Sequence, residues 1–423
     1  MLSIDFERHD LENGLTVVLA PDPAVPVIGL NLWYAVGSRN ERQGRTGFAH
    51  LFEHMMFQGS ANVPKGAHFE LLERAGGSMN ATTWFDRTNY FETVPAHQLD
   101  LALWLESDRM GWLLPAMTQE KLDNQRAVVQ NEKRQRYDNQ PYGDWDERIQ
   151  AMVFPPEHPY HHTVIGSMED IAAAGLEDVE EFFRTYYRPN NAVLTLTGDF
   201  EPAEALERVD RFFGEIPRGG EVPAVPGRTE LDLKMGETQR QEVVADVPLP
   251  RAYLAARIPP FTDSGFYTAD VIASVLGDGR ASRLYRRLVR ERRIAKDVVA
   301  FAFPLTTGAT LMVVWATGFP GAEPAELEDA LALEVDGLAD VGSEEVERAV
   351  ARAETGFLRE VERLSSRANL LSMHQTIFGD AGHLNGELDR LRSVTPEHVR
   401  EFAASVLGPS NRAFLTYRPK EDS

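Results

Sequence analysis

A chain of 423 residues is long for one hydrophobic core and comfortable for two domains of about 200 residues each. Its 43% hydrophobic and 26% charged residues are the make-up of an ordinary globular protein, which excludes a disordered or fibrous chain. There is no cysteine, so disulfides, a cysteine nucleophile and thiolate metal sites are excluded, and a net charge of −22 argues against nucleic acid as a partner.

The N-terminal residues MLSIDFERHDLENG are acidic and lack a basic segment followed by an apolar stretch. The apolar run Val27 to Val36 is too short and too interrupted to cross a bilayer, so the expectation is a cytoplasmic protein that engages no membrane. A processed secreted form would read the same way. Strands are expected from Leu15 to Leu19 and from Gly29 to Trp33, then a helix around Gly47 to Phe57 and a longer helical run from Thr118 to Tyr137. A Pro/Gly-rich stretch from Ile216 to Gly227 has neither periodicity and reads as a linker.

The two halves look related. At a constant offset of 220, Glu177, Val179, Glu181, Phe182, Pro189 and Asn191 recur as Glu397, Val399, Glu401, Phe402, Pro409 and Asn411. Each copy reads as an amphipathic helix, a turn opened by proline and an apolar strand. The expected fold is therefore α+β, with two related domains, each an antiparallel or mixed β-sheet packed with helices. A zinc-binding catalytic domain would span 1–215, a linker 216–235, and a degenerate second domain without a metal site 236–423.

The chemistry concentrates in Gly47 to Phe57, GFAHLFEHMMF. Residues four apart on a helix lie one above the other, so His50 and His54 present imidazoles on one face, with Glu53 facing nearly the same way. Two imidazoles at this spacing suit zinc, and a neighbouring carboxylate can take a proton from water. Phe48, Leu51, Phe52 and Met55 would anchor the helix in the core. In the second helical run, Leu122, Val128 and Val129 form an apolar stripe, and Glu132 can face inward with Gln125, two turns earlier. Read alone, Glu132 is equally an ordinary solvated helix glutamate.

Taken together, these segments resemble the inverzincin peptidases of the pitrilysin and insulinase family, within it the mitochondrial processing peptidase type and its bacterial relatives. The resemblance rests on HLFEHMMFQGS at 50–60, GGSMNATTWFDRTNYFETVP at 76–95, VVQNEKRQRYDNQPYG at 128–143 and HPYHHTVIGSMEDI at 158–171. It implies one Zn²⁺ per chain held by His50, His54 and Glu132, with Glu53 as general base and a fourth position open to water. Family members often carry an acid seven residues before the ligand Glu; here Gln125 stands there, and an amide can still orient a ligand. The resemblance also implies an edge strand at Asn80, Ala81 and Thr82, to which a peptide substrate adds as a further strand. Thr83 and Trp84 read only as an ordinary strand end and turn. His158, His161 and His162, in a Pro-rich loop, read as structural.

The second half offers no HxxEH. Its stretch Gly277 to Glu291 resembles the family segment leading to an Arg and, seven residues later, a Tyr that contact substrate; Arg290 fits the first position, but position 297 is Asp. Either the arginines around it form a solvated basic face, or the Arg/Tyr pair comes from another subunit. The resulting expectation is a zinc metalloendopeptidase acting on peptides or unfolded segments within a dimeric chamber. The dimer would be a homodimer or a heterodimer with a zinc-less family subunit carrying the Arg/Tyr pair. The alternatives are a zinc-bearing subunit inactive without that partner, and a non-catalytic peptide-binding assembly subunit.

Overall fold

The computed structural model describes residues 3–420. The strands are β1 (Glu7–Asp10), β2 (Thr16–Pro21), β3 (Val27–Tyr34), β4 (Ser78–Thr83), β5 (Thr88–Pro95) and β6 (Ala192–Gly198) in one sheet. A second sheet holds β7 (Gln239–Ala245), β8 (Arg251–Ile258), β9 (Ala295–Ala302), β10 (Thr310–Gly318) and β11 (Ala413–Pro419). The helices that matter here are α1 (Phe48–Met55), α2 (Leu99–Trp112), α3 (Gln119–Lys133), α4 (Trp145–Val153) and α5 (Leu176–Tyr186). Further along lie α6 (Gly265–Gly277), α7 (Leu364–Phe378) and α8 (Pro396–Ser405). The fold is thus mixed α+β, built on two sheets. None of the described helices is long and apolar enough to cross a membrane.

The strands run in the order β1-β2-β6-β3-β5-β4 in the first sheet and β7-β11-β8-β10-β9 in the second. The two orders superimpose once β1 is set aside: β6 pairs parallel with β2 and antiparallel with β3, as β11 does with β7 and β8. The repeated sequence occupies equivalent places, as α5, a short 3-10 turn and β6 in one sheet and α8, a short 3-10 turn and β11 in the other. Even a side-chain bond recurs at the offset of 220. The Asn191 amide donates to the Tyr186 carbonyl at 2.8 Å, and the Asn411 amide to the Val406 carbonyl at 2.8 Å. In both copies the asparagine ties the helix end to the strand that follows.

The compact units are not the contiguous halves expected from the linker. One comprises residues up to 133, 162–227 and 358–386; the other comprises 134–161, 228–357 and 387 onward. Each half sends a helical segment to the other's sheet, and apolar burial is the reason. In the first unit, α7 lies on β6 and β3, burying Leu370 and Leu371, and Ser372 Oγ donates to Thr195 Oγ1 at 2.8 Å. In the second unit, Trp145 of α4 stacks on Tyr253 at 5.4 Å and packs against Trp315 and Phe301. Residues 217–238 carry no helix or strand, and the start of this stretch is pinned by Gly219 N donating to Asn190 Oδ1 at 2.8 Å.

Asn411 is fully buried and makes two further bonds, accepting from Arg257 N at 3.1 Å and donating to Arg257 O at 2.8 Å. Asn411→Ala would strand these backbone groups in the interior, so we expect a loss of about 2 kcal/mol from the second unit, read as a lowered urea midpoint.

Candidate metal centre

The chain enters α1 through Gly47, whose φ of 84° lies in the left-handed region, and a Cβ there would stand 2.6 Å from the Ile165 carbonyl oxygen. A larger residue meets both obstacles at once. Gly47 has no side chain with which to cap the helix. The buried Glu41 does so instead, accepting from Gly47 N at 2.8 Å through one oxygen and from Ala49 N at 2.7 Å through the other. His162 contacts the Glu41 carboxylate at 2.9 Å. Burial raises the Glu41 pKa against the pull of His162 and the two amides. For His162 burial acts downward, but the bond to Glu41 outweighs it and its pKa is raised. Asp170 holds the preceding turn, accepting from Thr46 N at 2.9 Å and from Thr46 Oγ1 at 2.6 Å.

The opposite face of α1 is apolar, as its spacing predicts: Phe48, Leu51, Phe52 and Met55 are buried. The Phe52 ring packs against Phe182 and Phe183 of α5 and Tyr187 just beyond it. On α3, Leu122, Gln125 and Val129 are buried, but Val128 is exposed, so the apolar stripe is narrower than the sequence indicates. Gln125 does share the inward face two turns before Glu132.

With both helices seated, the predicted ligands converge. His54 Nε2 lies 3.4 Å and His50 Nε2 3.7 Å from Glu132 Oε2, and the two imidazoles meet edge to face at 4.8 Å. One donor atom from each of the three half-buried residues falls within 4.8 Å of the others. Ligands about 2.0–2.1 Å from a tetrahedral zinc stand roughly 3.4 Å apart, so two of these separations already suit the ion. The donor set, two imidazoles and a carboxylate, is the chemistry that zinc takes in the absence of thiolates.

Glu53 sits on the same helix, and Thr83 Oγ1 at the end of β4 donates to its Oε2 at 2.6 Å. Burial raises the Glu53 pKa, with Thr83, His54 and Arg87 acting against it and the charge of Glu132 adding to it. Thr83, read from sequence as an ordinary strand end, is thus the residue that orients the carboxylate. Of the predicted edge-strand residues, Asn80 is exposed with its Oδ1 accepting from Ala81 N at 2.9 Å, Ala81 is buried and Thr82 half-buried. β4 is the outermost strand of its sheet.

Arg290 lies in the second unit, in the π-helical turn Tyr285–Glu291. Asp297 is on β9, the strand that corresponds in order to β4, and accepts from Thr317 Oγ1 at 2.9 Å, which in turn accepts from Arg251 Nε at 2.8 Å. The helix corresponding to α1 is α6, GFYTADVIASVLG, which carries no histidine. His158, His161 and His162 all make local structural contacts. The ring of His158 accepts from Tyr160 N at 3.1 Å, that of His161 contacts the Phe154 carbonyl at 2.7 Å, and His162 serves Glu41.

Fold and centre together define a two-sheet α+β protein with an inverted His/Glu/His motif completed by a distant glutamate. Residues 16–154 match the insulinase family (peptidase family M16), and residues 174–353 match the peptidase M16 inactive domain. Zinc protease PqqE of Helicobacter pylori is 31% identical over 372 residues, covering 86% of this chain and 82% of that protein. An uncharacterised zinc protease of Streptomyces coelicolor is 25% identical over 420 residues, covering 95% and 87%. The crystal structure of a protease from H. pylori superimposes with a TM-score of 0.92 at 26% identity, over 99% of this chain and 100% of the other. A peptidase M16 inactive domain from Pseudomonas fluorescens shares the fold, with a TM-score of 0.84 at 16% identity over 99% of each chain. The chain belongs to the insulinase family, peptidase family M16. The three candidate ligands and Glu53 all fall within the part that matches the insulinase model.

Because Glu41 fixes where α1 starts, Glu41→Ala is expected to weaken zinc binding about tenfold, the usual scale for groups that orient ligands. Glu132→Ala is expected to abolish stoichiometric binding. Both are measured by competition with a chromogenic chelator.

Proposed function

We propose that this chain is a zinc-dependent endopeptidase with one Zn²⁺ held by His50, His54 and Glu132. The observation that carries this reading is the convergence of those donors beside a half-buried carboxylate, Glu53, held by Thr83 at the end of an edge strand. When bound, zinc would polarise a scissile carbonyl and make water acidic enough to lose a proton near neutral pH. Glu53 Oε accepts that proton as the water attacks and delivers it to the departing amine. Thr83 keeps the carboxylate directed during both transfers. An extended peptide pairs with the open side of β4, its main chain held at Asn80, Ala81 and Thr82, so the scissile bond is placed by backbone hydrogen bonds. Gln125 is assigned to orienting Glu132.

A second reading concerns assembly: the active species is a dimer, either of two such chains or of this chain with a zinc-less family subunit. Asp297 favours the latter. Its carboxylate, engaged with Thr317, stands where the resemblance calls for a Tyr, so Arg290 lacks its expected companion. A partner would then supply the Arg/Tyr pair. The alternative of a non-catalytic peptide-binding subunit is countered by the complete set of His50, Glu53, His54 and Glu132.

The test is cleavage of an unstructured peptide mixture by the purified, zinc-loaded chain, read by mass spectrometry beside Glu53→Gln. The variant is expected to keep one zinc per chain and to lose at least about a hundredfold in turnover. Substantial cleavage by the variant would remove Glu53 as the base. Bound zinc without any cleavage by the parent chain would point to the heterodimer.

A further inference from the structure

Successive residues of a strand face opposite sides of a sheet. Thr83 turns toward Glu53; its neighbour Thr82 lines a pocket of about 230 Å³ on the other face of the first sheet. The remaining polar lining comes from Asn31 on β3, Arg87 and Asn89 at the start of β5, and Ser365, Ser366 and Asn369 on α7. Among the described residues no carboxylate lines this pocket, although the chain carries 65 Asp and Glu against 43 Lys and Arg.

Three features of the pocket are those of an anion site. Arg87 is half-buried, and among the described residues its Nη1 donates to neutral acceptors: the Thr82 carbonyl at 2.8 Å, Thr82 Oγ1, and Asn89 Oδ1 at 2.8 Å. Its guanidinium lies over the Trp33 ring at 5.4 Å, and burial lowers its pKa to about 10 against the pull of the Glu53 and Asp86 charges, neither of which lines the pocket. Such a cation is stabilised by a carboxylate brought to it. Second, Asn31 is 1% exposed, and its amide nitrogen has no partner among the described residues. Third, the N-terminus of α7 opens here without a side-chain cap: Arg367 N donates back to Arg363 O at 2.8 Å, leaving the preceding amides of the first turn without helical acceptors. Gly29 seats this terminus directly on the sheet, since a Cβ there would stand 3.2 Å from the Ser365 nitrogen.

We propose that this pocket is a carboxylate-binding subsite, with Arg87, Asn31 and the first turn of α7 as its donors. Its occupant is an acidic side chain or the free C-terminal carboxylate of a peptide lying along β4; the peptide, though not the pocket's anion chemistry, rests on the peptidase reading. Side chains of an added strand alternate between the two sheet faces, so those facing Thr82 are directed to this side. Arg87 would thereby set substrate preference without touching the reacting atoms.

The test measures fluorescence anisotropy of zinc-loaded Glu53→Gln protein with three matched unstructured peptides. One carries an internal Glu and an amidated C-terminus, one is neutral with a free C-terminus, and one is neutral and amidated. At least one carboxylate peptide is expected to bind about tenfold tighter than the third, and which one does so identifies the source of the group. The ratio is expected to collapse in Arg87→Gln. It should also collapse in Asn369→Asp, which places a competing carboxylate in the pocket without removing the bonds Arg87 makes to β4. Equal affinities, or a preference that survives both substitutions, would overturn the proposal. If peptides are cleaved with no carboxylate preference, the peptidase stands and the subsite falls. If none is cleaved, the pocket is read with glutarate and the wild-type chain: an Arg87-dependent rise in melting temperature retains it, and no rise removes it.

Discussion

The candidate metal centre depends on one buried carboxylate, Glu41, that lies outside the cluster of His50, His54 and Glu132. Glu41 takes up two backbone amides at the start of α1 and so sets the turn at which His50 and His54 emerge. An uncapped helix of eight residues has little intrinsic stability in water, and its first turn would fray. A frayed first turn moves His50 relative to His54, and a tetrahedral ion tolerates little such movement. Glu41 in turn depends on His162 for its own partner, and Thr46 depends on Asp170. The segment around 162–170, remote in sequence, is therefore a bracket for the metal helix.

How much was legible follows the range of each interaction. His50, Glu53 and His54 are local: a 3.6-residue period places them on one face whatever the rest of the chain does. The repeat was legible because its helix, turn and strand are contiguous, and the structure returns both copies with the same asparagine bond. Glu132 came through resemblance, since nothing in its own helix separates it from a solvated glutamate. What could not be read was long-range. Glu41 and His162 are 121 positions apart and carry no periodic signal. Thr83 and Arg87 look like strand-end residues until the sheet brings them beside Glu53 and Asn31. Val128 fits an apolar stripe by composition, yet the neighbours that would cover it are elsewhere.

The two sheets show one plan put to different uses. In the first, α1 after β3 carries the candidate metal ligands His50 and His54; in the second, α6 keeps the position and fills it with Phe266, Val271, Ile272 and Val275, all buried. The edge strands diverge likewise: Thr83 of β4 donates to the Glu53 carboxylate of α1, whereas Asp297 of β9 is tied to Thr317 of β10. Shared topology is thus compatible with chemistry in one copy and packing in the other, because the chemistry resides in a few side chains on a common scaffold.

The exchange of segments between the two units has a consequence for how the chain is made. The first sheet is not covered until α7, near residue 370, has left the ribosome, and by then most of the second unit has been synthesised. Vectorial folding, with an N-terminal domain completed before the next one emerges, is closed to this molecule. Nascent chains must hold β3 and β6 partly uncovered through most of translation, a period in which apolar strands are prone to aggregate. Separately expressed halves, split in the irregular stretch after residue 216, would each lack a helix that their own sheet requires, and would fold fully only as complementing fragments.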